Sequence, residues 1–291
     1  MSKLRALLVL GRVSNLPTVW SNCLAAWWLG NHLEGYANGH ADWTVFGWLC
    51  AGASLVYLGG MYLNDAFDVR FDREFRPERP IPSGAVGAGA VWALGLVWLL
   101  GGGAILVAAA GASWHLVLLL VLAVLVYDAT HKWIAFAPLL MAACRSFLYL
   151  VAASSGSFGI TGIAVWGAVV MAAYIVGLSA VARCESAPNP FQRAPLVLLA
   201  APIILALVVN NDEYRAAGLV LGFALGGWIL LSLRHTLNTT PPNIGRTVGG
   251  LLAGIPLVDL LAVGWVSPEL TVVFAGLFAG ALLAQRFVPA T

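Results

Sequence analysis

The stretch Tyr62-Leu-Asn-Asp-Ala-Phe-Asp-Val-Arg-Phe-Asp72, continuing to Arg79-Pro-Ile-Pro-Ser-Gly84, decides how the rest of the chain is read. On a helix each step of four residues drifts about 40°, so Asn64, Asp68 and Asp72 are expected on one face, with Asp65 on its edge. Carboxylates stacked this closely repel one another unless a cation lies between them. Hard oxygen donors suit Mg²⁺, a cation commonly held by one or two carboxylates together with substrate phosphates. Arg70, Arg73, Arg76 and Arg79 are interleaved and follow, and guanidinium forks match phosphate oxygens two at a time. The plainer alternative is a charged membrane-boundary loop. Orientation needs the arginines, however, and not four aligned acid or amide groups.

The surroundings of this stretch are almost wholly apolar. Of 291 residues, 60% are apolar and only 10% charged, against about 25% charged in soluble domains. This excludes a water-soluble domain, a disordered chain and a secreted disulfide scaffold. The apolar runs are too long for alternating barrel strands, which leaves an all-α integral membrane protein. The net charge of +2 makes nucleic acid an unsuitable partner. Cys23, Cys50, Cys144 and Cys184 are widely spaced and read as small apolar packers. Arg12 cuts the first apolar run too short for a cleavable signal peptide, so no cleavage is expected.

Ten apolar segments can be marked, at 14–31, 43–63, 85–109, 112–127, 134–153, 161–182, 194–210, 216–233, 247–265 and 269–287. The fourth and seventh are short for the ~20 residues that cross a bilayer. With a cytoplasmic N-terminus, all but two of the 15 Lys and Arg fall on the inner side. The exceptions are Arg215 outside and Arg145 within a span, a strong positive-inside signal. Trp27, Trp28, Trp43, Trp114 and Trp265 fall near the outer ends, as an interfacial belt would. No linker or separate soluble domain is visible, so residues 1–291 read as one membrane domain.

Further polar groups punctuate the spans. Tyr127-Asp128-Ala-Thr-His-Lys132 ends the fourth and faces the same side as the acidic stretch. Lys132 could bind phosphate and Asp128 a metal or substrate, or the group could be a membrane-end anchor. Arg183-Cys-Glu185 ends the sixth, as a second site or a boundary charge pair. Arg145 and Asp259 lie within spans, where charge is costly and normally meets a cavity or a partner. Arg145 could meet a substrate carboxylate or a diphosphate. His115 and His131 read as structural, and Gly101-Gly-Gly103 as close helix packing.

With Asn64-Asp65-x-x-Asp68-x-x-x-Asp72 and Arg79-Pro-x-Pro-Ser-Gly84, the chain resembles the UbiA superfamily of intramembrane prenyltransferases. Tyr127-Asp128-x-x-x-Lys132 is similar to that family's tyrosine–lysine motif, and Arg12-x-x-Asn15-x-Pro17 to its first-helix entry. The resemblance implies about nine spans. Together with the segments above, the expectation is a bundle of nine to ten transmembrane helices around a cavity opening to the cytoplasmic side. It implies a prenyl diphosphate and a small acceptor as substrates, Mg²⁺ as cofactor and the cytoplasmic membrane as location. By the same resemblance Asn64, Asp65, Asp68 and Asp72 would hold the metal, with Asp68, Asp72 and Lys132 catalytic. Arg76, Arg79, Lys132 and Arg183 would bind diphosphate. Arg12, Asn15, Tyr127, Asp128, Arg145 and Glu185 would line the acceptor pocket or cavity.

The chain departs from the family where a second aspartate-rich motif is usual. Ser179-Ala-Val-Ala-Arg-Cys-Glu-Ser-Ala-Pro188 carries one acid, Glu185. Asp128, or the basic Arg183 and Arg193, are the candidates to compensate. The expected chemistry is Mg²⁺-dependent ionisation of an allylic diphosphate, with aromatic faces such as Tyr57, Phe147 or Tyr149 stabilising the cation. The alternatives are a transferase using a non-prenyl diphosphate donor and a non-catalytic carrier of an isoprenoid or aromatic precursor.

Overall fold

The computed structural model describes residues 2–32, 41–183, 194–209, 212–264 and 268–290. Among these residues the regular structure is helical throughout. Chain order runs α1 (Lys3–Leu10), a 3₁₀ turn (Val13–Asn15), α2 (Leu16–Gly30), α3 (Trp43–Phe67), α4 (Val69–Phe75), α5 (Ala88–Ala108) and α6 (Trp114–Thr130). It continues with α7 (Ala137–Ser154), α8 (Gly162–Arg183), a 3₁₀ stretch (Ala194–Ala200), α9 (Ala201–Val209), α10 (Asp212–Leu237), α11 (Ile244–Ala253), α12 (Ile255–Val263) and α13 (Pro268–Ala284).

Local chemistry sets the boundaries. The Asp42 carboxylate accepts a hydrogen bond from the Thr44 amide and starts α3, and Asn243 accepts from the Arg246 amide at the start of α11. Prolines at 17, 138 and 256 stand in the first turns of α2, α7 and α12, where a missing N–H costs nothing. Gly264, at φ 72°, closes α12 in a conformation that favours glycine. Pro202 cannot donate a helical hydrogen bond, and at this point the 3₁₀ stretch gives way to α9.

Each of the ten expected apolar segments forms helix. Six are both long and apolar enough to cross a membrane: α3, α5, α7, α8, residues 215–237 of α10, and α11 with α12 taken together. Residues 114–130, 196–208 and 269–284 form shorter apolar helices, and α2 has 15 residues. The protein is an integral membrane protein, and its outer surface shows it. Val97, Leu100, Phe223, Leu230 and Val272 are all more than half exposed, a surface suited to lipid and not to water.

Helix α2 is buried on nearly every side and packs against α3, α7, α12 and α13. Helices α3 and α5 pack closely along their length, where glycines let the backbones meet. A Cβ on Gly59 would lie 2.6 Å from the Leu99 amide nitrogen, and one on Gly102 would lie 2.6 Å from the Gly52 carbonyl oxygen. The expected packing role of the 101–103 glycines thus falls on Gly102. Trp27 departs from the expected interfacial belt. It is fully buried, with its ring 5.2 Å from Trp43 and 5.5 Å from Phe46. Trp265 lies outside the described residues.

Candidate active site

Helices α3 and α4 run almost without a break through Asp68, whose amide donates to the Asn64 carbonyl while its own carbonyl accepts from the Asp72 amide. This places Asn64, Asp65, Asp68 and Asp72 together, all less than 9% exposed. They do not form the single expected face. The carboxylates of Asp65 and Asp72 converge on one guanidinium, Arg79 Nη1, at 3.2 and 3.3 Å. Asn64 and Asp68 point instead to the end of α6. Asn64 Nδ2 donates to Asp128 Oδ1 at 3.1 Å, and Asp68 Oδ1 meets Lys132 Nζ at 2.8 Å. The reason is helical register. Positions seven apart are offset by only about 20°, whereas Asn64 and Asp72, eight apart, are offset by about 80°.

Basic groups close around these acids. Arg12 holds the other side of Asp65 at 3.3 Å and also donates to Met61 Sδ. Its backbone has φ 41°, a left-handed conformation that is costly for a side chain of this size and marks a strained bend before α2. Lys132 lies 3.8 Å from the centre of the Phe71 ring, and His131 Nε2 is 3.6 Å from Asp68 Oδ2. His131, read from sequence as structural, thus stands against Asp68 on the rim, and Phe71 joins it there. The sequence signals for both were adjacency to Lys132 and a place on α4 beside Asp72.

The two acids on and before α4 respond oppositely. Burial raises the pKa of Asp68, but hydrogen bonds and charge from His131 and Lys132 outweigh it and leave the carboxyl below its ordinary range. Burial also raises Asp72. There Arg79 offsets only part of the effect, and Asp65 and Asp68 add to it, so the carboxyl stays above its ordinary range.

These groups form the rim of a cavity of about 1230 Å³. Its interior is walled by side chains such as Val56, Leu120, Val124, Met141, Ile175 and Leu178. Arg12, Asn15, Tyr127, Asp128 and Arg145 line it, as expected, and so do Arg76, Arg79 and Arg183. The Arg183 guanidinium donates to the Ala135 carbonyl and stands at the end of α8, across from the acidic stretch. Glu74 and Glu78, which had no assigned role, also line the cavity. Of the three aromatics expected to face a cation, Tyr57 lines the cavity. Tyr149 is fully buried in the core against Gly167, and Phe147 packs on the same core. Glu185 and Arg193 lie outside the described residues.

Asp72 Oδ1 and Asp128 Oδ2 are buried with no hydrogen-bond partner, and unpaired hard oxygens of this kind suit Mg²⁺. Among the described residues no three acidic, histidine or cysteine side chains gather around one point. Each acid is turned to a base or an amide. The residues fit the ion chemically, but they stand paired within the protein and not grouped as a ligand set.

No family model matches the chain. Over 86 residues it is 43% identical to digeranylgeranylglyceryl phosphate synthase from Ignicoccus hospitalis, covering 30% of this chain and 25% of that protein. Over 76 residues it is 43% identical to the enzyme of the same name from Metallosphaera sedula, covering 26% of each. The matches span about a quarter of the length of these relatives. A solved structure described as giving structural and mechanistic insights into digeranylgeranylglyceryl phosphate synthase in membranes aligns with 97% of this chain and 100% of its own, at TM-score 0.57 and 16% identity. The chain shares the fold of that structure. The apo structure of a UbiA homolog from Aeropyrum pernix K1 aligns with 96% of this chain and 97% of its own, at TM-score 0.47 and 16% identity. Within this fold, the cavity draws on α1, the turn at Arg12–Asn15, α3, α4, α6, α7 and α8, and its wall is completed by Val248 and Leu252 of α11 and by Ala290.

Proposed function

We propose that the chain is a membrane-embedded prenyltransferase that moves a polyprenyl group from a prenyl diphosphate to an aromatic or other small acceptor. The observation that carries this reading is the rim. Arg12, Arg79 and Lys132 surround buried carboxylates at the mouth of a large cavity with mainly apolar walls. Such a rim can exchange internal carboxylates for diphosphate oxygens, while the walls accept a hydrocarbon chain. Residues 1–291 act as one unit in this reading, because the rim spans Arg12 to Arg183. The mouth faces the cytoplasm, as does the N-terminus, in keeping with the basic residues that crowd it.

In the proposed mechanism Arg79, Arg76, Arg183 and Lys132 bind and orient the diphosphate. Asp68 and Asp72, with Asn64 and Asp65, are the residues that would hold Mg²⁺. When bound, that ion would neutralise charge on the leaving diphosphate. The allylic C–O bond breaks, and its electron pair leaves with the diphosphate. Tyr57 faces the developing cation, and the apolar walls keep water away from it. An electron pair of the acceptor forms the new bond to carbon, and a proton is then lost. Arg12, Asn15, Tyr127, Asp128 and Arg145 shape the acceptor side, with Glu185 assigned there from sequence alone.

The test is pyrophosphate release by purified protein in nanodiscs supplied with farnesyl or geranylgeranyl diphosphate and Mg²⁺. Asp68→Ala and Asp72→Ala should abolish it, and unchanged turnover in both variants refutes the assignment. A second reading, a non-catalytic carrier, is favoured by the internal pairing of Asp65, Asp68 and Asp72 with Arg12, Arg79 and Lys132 and by the single acid of the 179–188 stretch. Tight Mg²⁺-independent ligand binding with no release by the wild type would select it.

A further inference from the structure

Arg145 stands apart from the rim. It lies eight residues into α7, roughly 12 Å along the helix from its first residue, and it is buried. The other cavity cations whose partners are shown contact an acid or a backbone carbonyl at the mouth. Arg145 has no carboxylate within ion-pair distance among the described residues. Its Nη1 donates to Asn22 Oδ1 at 2.8 Å and to the Thr18 carbonyl at 3.3 Å, and its Nη2 donates to Thr18 Oγ1 at 3.0 Å. Those three bonds leave Nε–H and the second Nη2 hydrogen without a hydrogen-bond partner among the described residues, though the guanidinium lines the cavity. These two hydrogens form one edge of the guanidinium, the edge that matches two oxygens of a carboxylate or phosphate.

The support behind Arg145 is fixed. Asn22 turns its amide so that Oδ1 takes the guanidinium and Nδ2 donates to Asp259 Oδ2 at 2.8 Å. Ser21 Oγ also donates to that oxygen, at 2.6 Å. The carboxylate that offsets the arginine is thus held one amide away, on the side remote from the cavity. The Tyr57 ring lies 6.0 Å from the guanidinium carbon and helps set its plane. A direct Asp259–Arg145 pair would have consumed the arginine's binding edge. Asn22 instead gives each buried charge a hydrogen bond and keeps that edge available.

We propose that the Nε/Nη2 edge of Arg145 is an anion-binding subsite at the inner end of the cavity, which takes a carboxylate or phosphate carried by the acceptor. The inference rests on the prenyl-transfer reading for the word acceptor. It selects acceptors with an anionic group at one end and the attacking atom at the other, nearer the rim. A free aromatic carboxylate and a lipid phosphate monoester present the same chemistry.

The test separates these sources and does not depend on turnover. Wild-type protein in phosphatidylcholine nanodiscs is titrated with 4-hydroxybenzoate against its neutral amide, 4-hydroxybenzamide. In a second arm, dioleoyl phosphatidic acid is compared with dioleoylglycerol by native mass spectrometry. One anion should bind in preference to its neutral partner, and Arg145→Gln should weaken that anion by about tenfold to hundredfold while leaving the neutral compound unchanged. Inorganic pyrophosphate should bind the variant as it binds the wild type. A purely structural arginine would alter the melting temperature but not this preference. Absence of any preference in the wild type, or its survival in Arg145→Gln, overturns the proposal. Should that variant fail to fold, wild-type photolabelling with 4-azidobenzoate decides the matter. Label within 137–154 that 4-azidobenzamide does not reproduce supports the subsite, and label confined to the rim refutes it. If the anion preference is intact but no prenyl diphosphate is consumed, the subsite stands and the transfer reading falls.

Discussion

Replacing Arg79 by Gln should expose the electrostatic design of the rim. One nitrogen of Arg79 serves two carboxylates, Asp65 at 3.2 Å and Asp72 at 3.3 Å. Asp65 retains Arg12 after the change. Asp72 does not have a second base within ion-pair distance among the described residues, its Oδ1 already lacks a hydrogen-bond partner, and its side chain is only 3% exposed. The loss is therefore that of a buried charged contact and not of a surface pair. With Arg79 itself partly exposed, we expect a cost of about 2–3 kcal/mol at pH 7.5. That corresponds to a fall in melting temperature of roughly 4–12 °C, by the scaling for larger domains. Asp72 already titrates above the ordinary carboxylate range because burial outweighs Arg79, and the variant should raise it further. A carboxyl whose folded pKa is raised opposes folding above its unfolded pKa, and the penalty fades as pH falls and the group is protonated. The difference in melting temperature between wild type and Arg79→Gln should thus narrow from pH 7.5 to pH 5. Asp72→Asn in the Arg79→Gln background should restore part of the stability, since it removes the stranded charge. Differential scanning fluorimetry in detergent measures all three proteins. A deficit that does not change with pH and is not relieved by Asp72→Asn would refute the reasoning.

Lys132→Gln should weaken inorganic pyrophosphate binding by about tenfold to hundredfold in calorimetry, at a stability cost of only about 1 kcal/mol because its pair with Asp68 is partly exposed. Asp68 is held below its ordinary range, so the stability from that pair is present above the unfolded pKa and is lost as pH falls through the folded one. The melting deficit of Lys132→Gln should accordingly vanish in strong acid. Gly59→Val should prevent α3 and α5 from meeting and abolish a monodisperse peak in size-exclusion chromatography, whereas Gly47→Ala, with nothing within 4 Å of the added carbon, should leave it unchanged. Asp259→Ala removes the carboxylate that accepts from Asn22 Nδ2 in a fully buried site, while Ser21 Oγ keeps the Thr18 carbonyl as acceptor, and should cost about 1–3 kcal/mol in thermal unfolding.

The parts of this molecule that were legible from sequence are those governed by local periodicity or by the bilayer. All ten apolar segments became helix because each must satisfy its backbone internally. The run from Tyr62 to Asp72 could be placed at one end of the cavity because its acids recur at helical spacing. What escaped the reading depends on contacts between distant residues. Spacing along α3 and α4 says that four polar groups lie close together, but Arg79, arriving from a separate turn, decides that Asp65 pairs with Asp72. Lys132 at the end of α6 likewise decides that Asp68 turns away from them. His131 reads as structural from sequence because its contact with Asp68 is made 63 positions away in the chain. Asp259 could be recognised as a costly intramembrane acid, yet its partners Ser21 and Asn22 are ordinary residues of an ordinary apolar helix. Arg145 shows the same limit from the functional side. A lone arginine within a span predicts a cavity or a counter-charge, and here Asn22 allows it to have both.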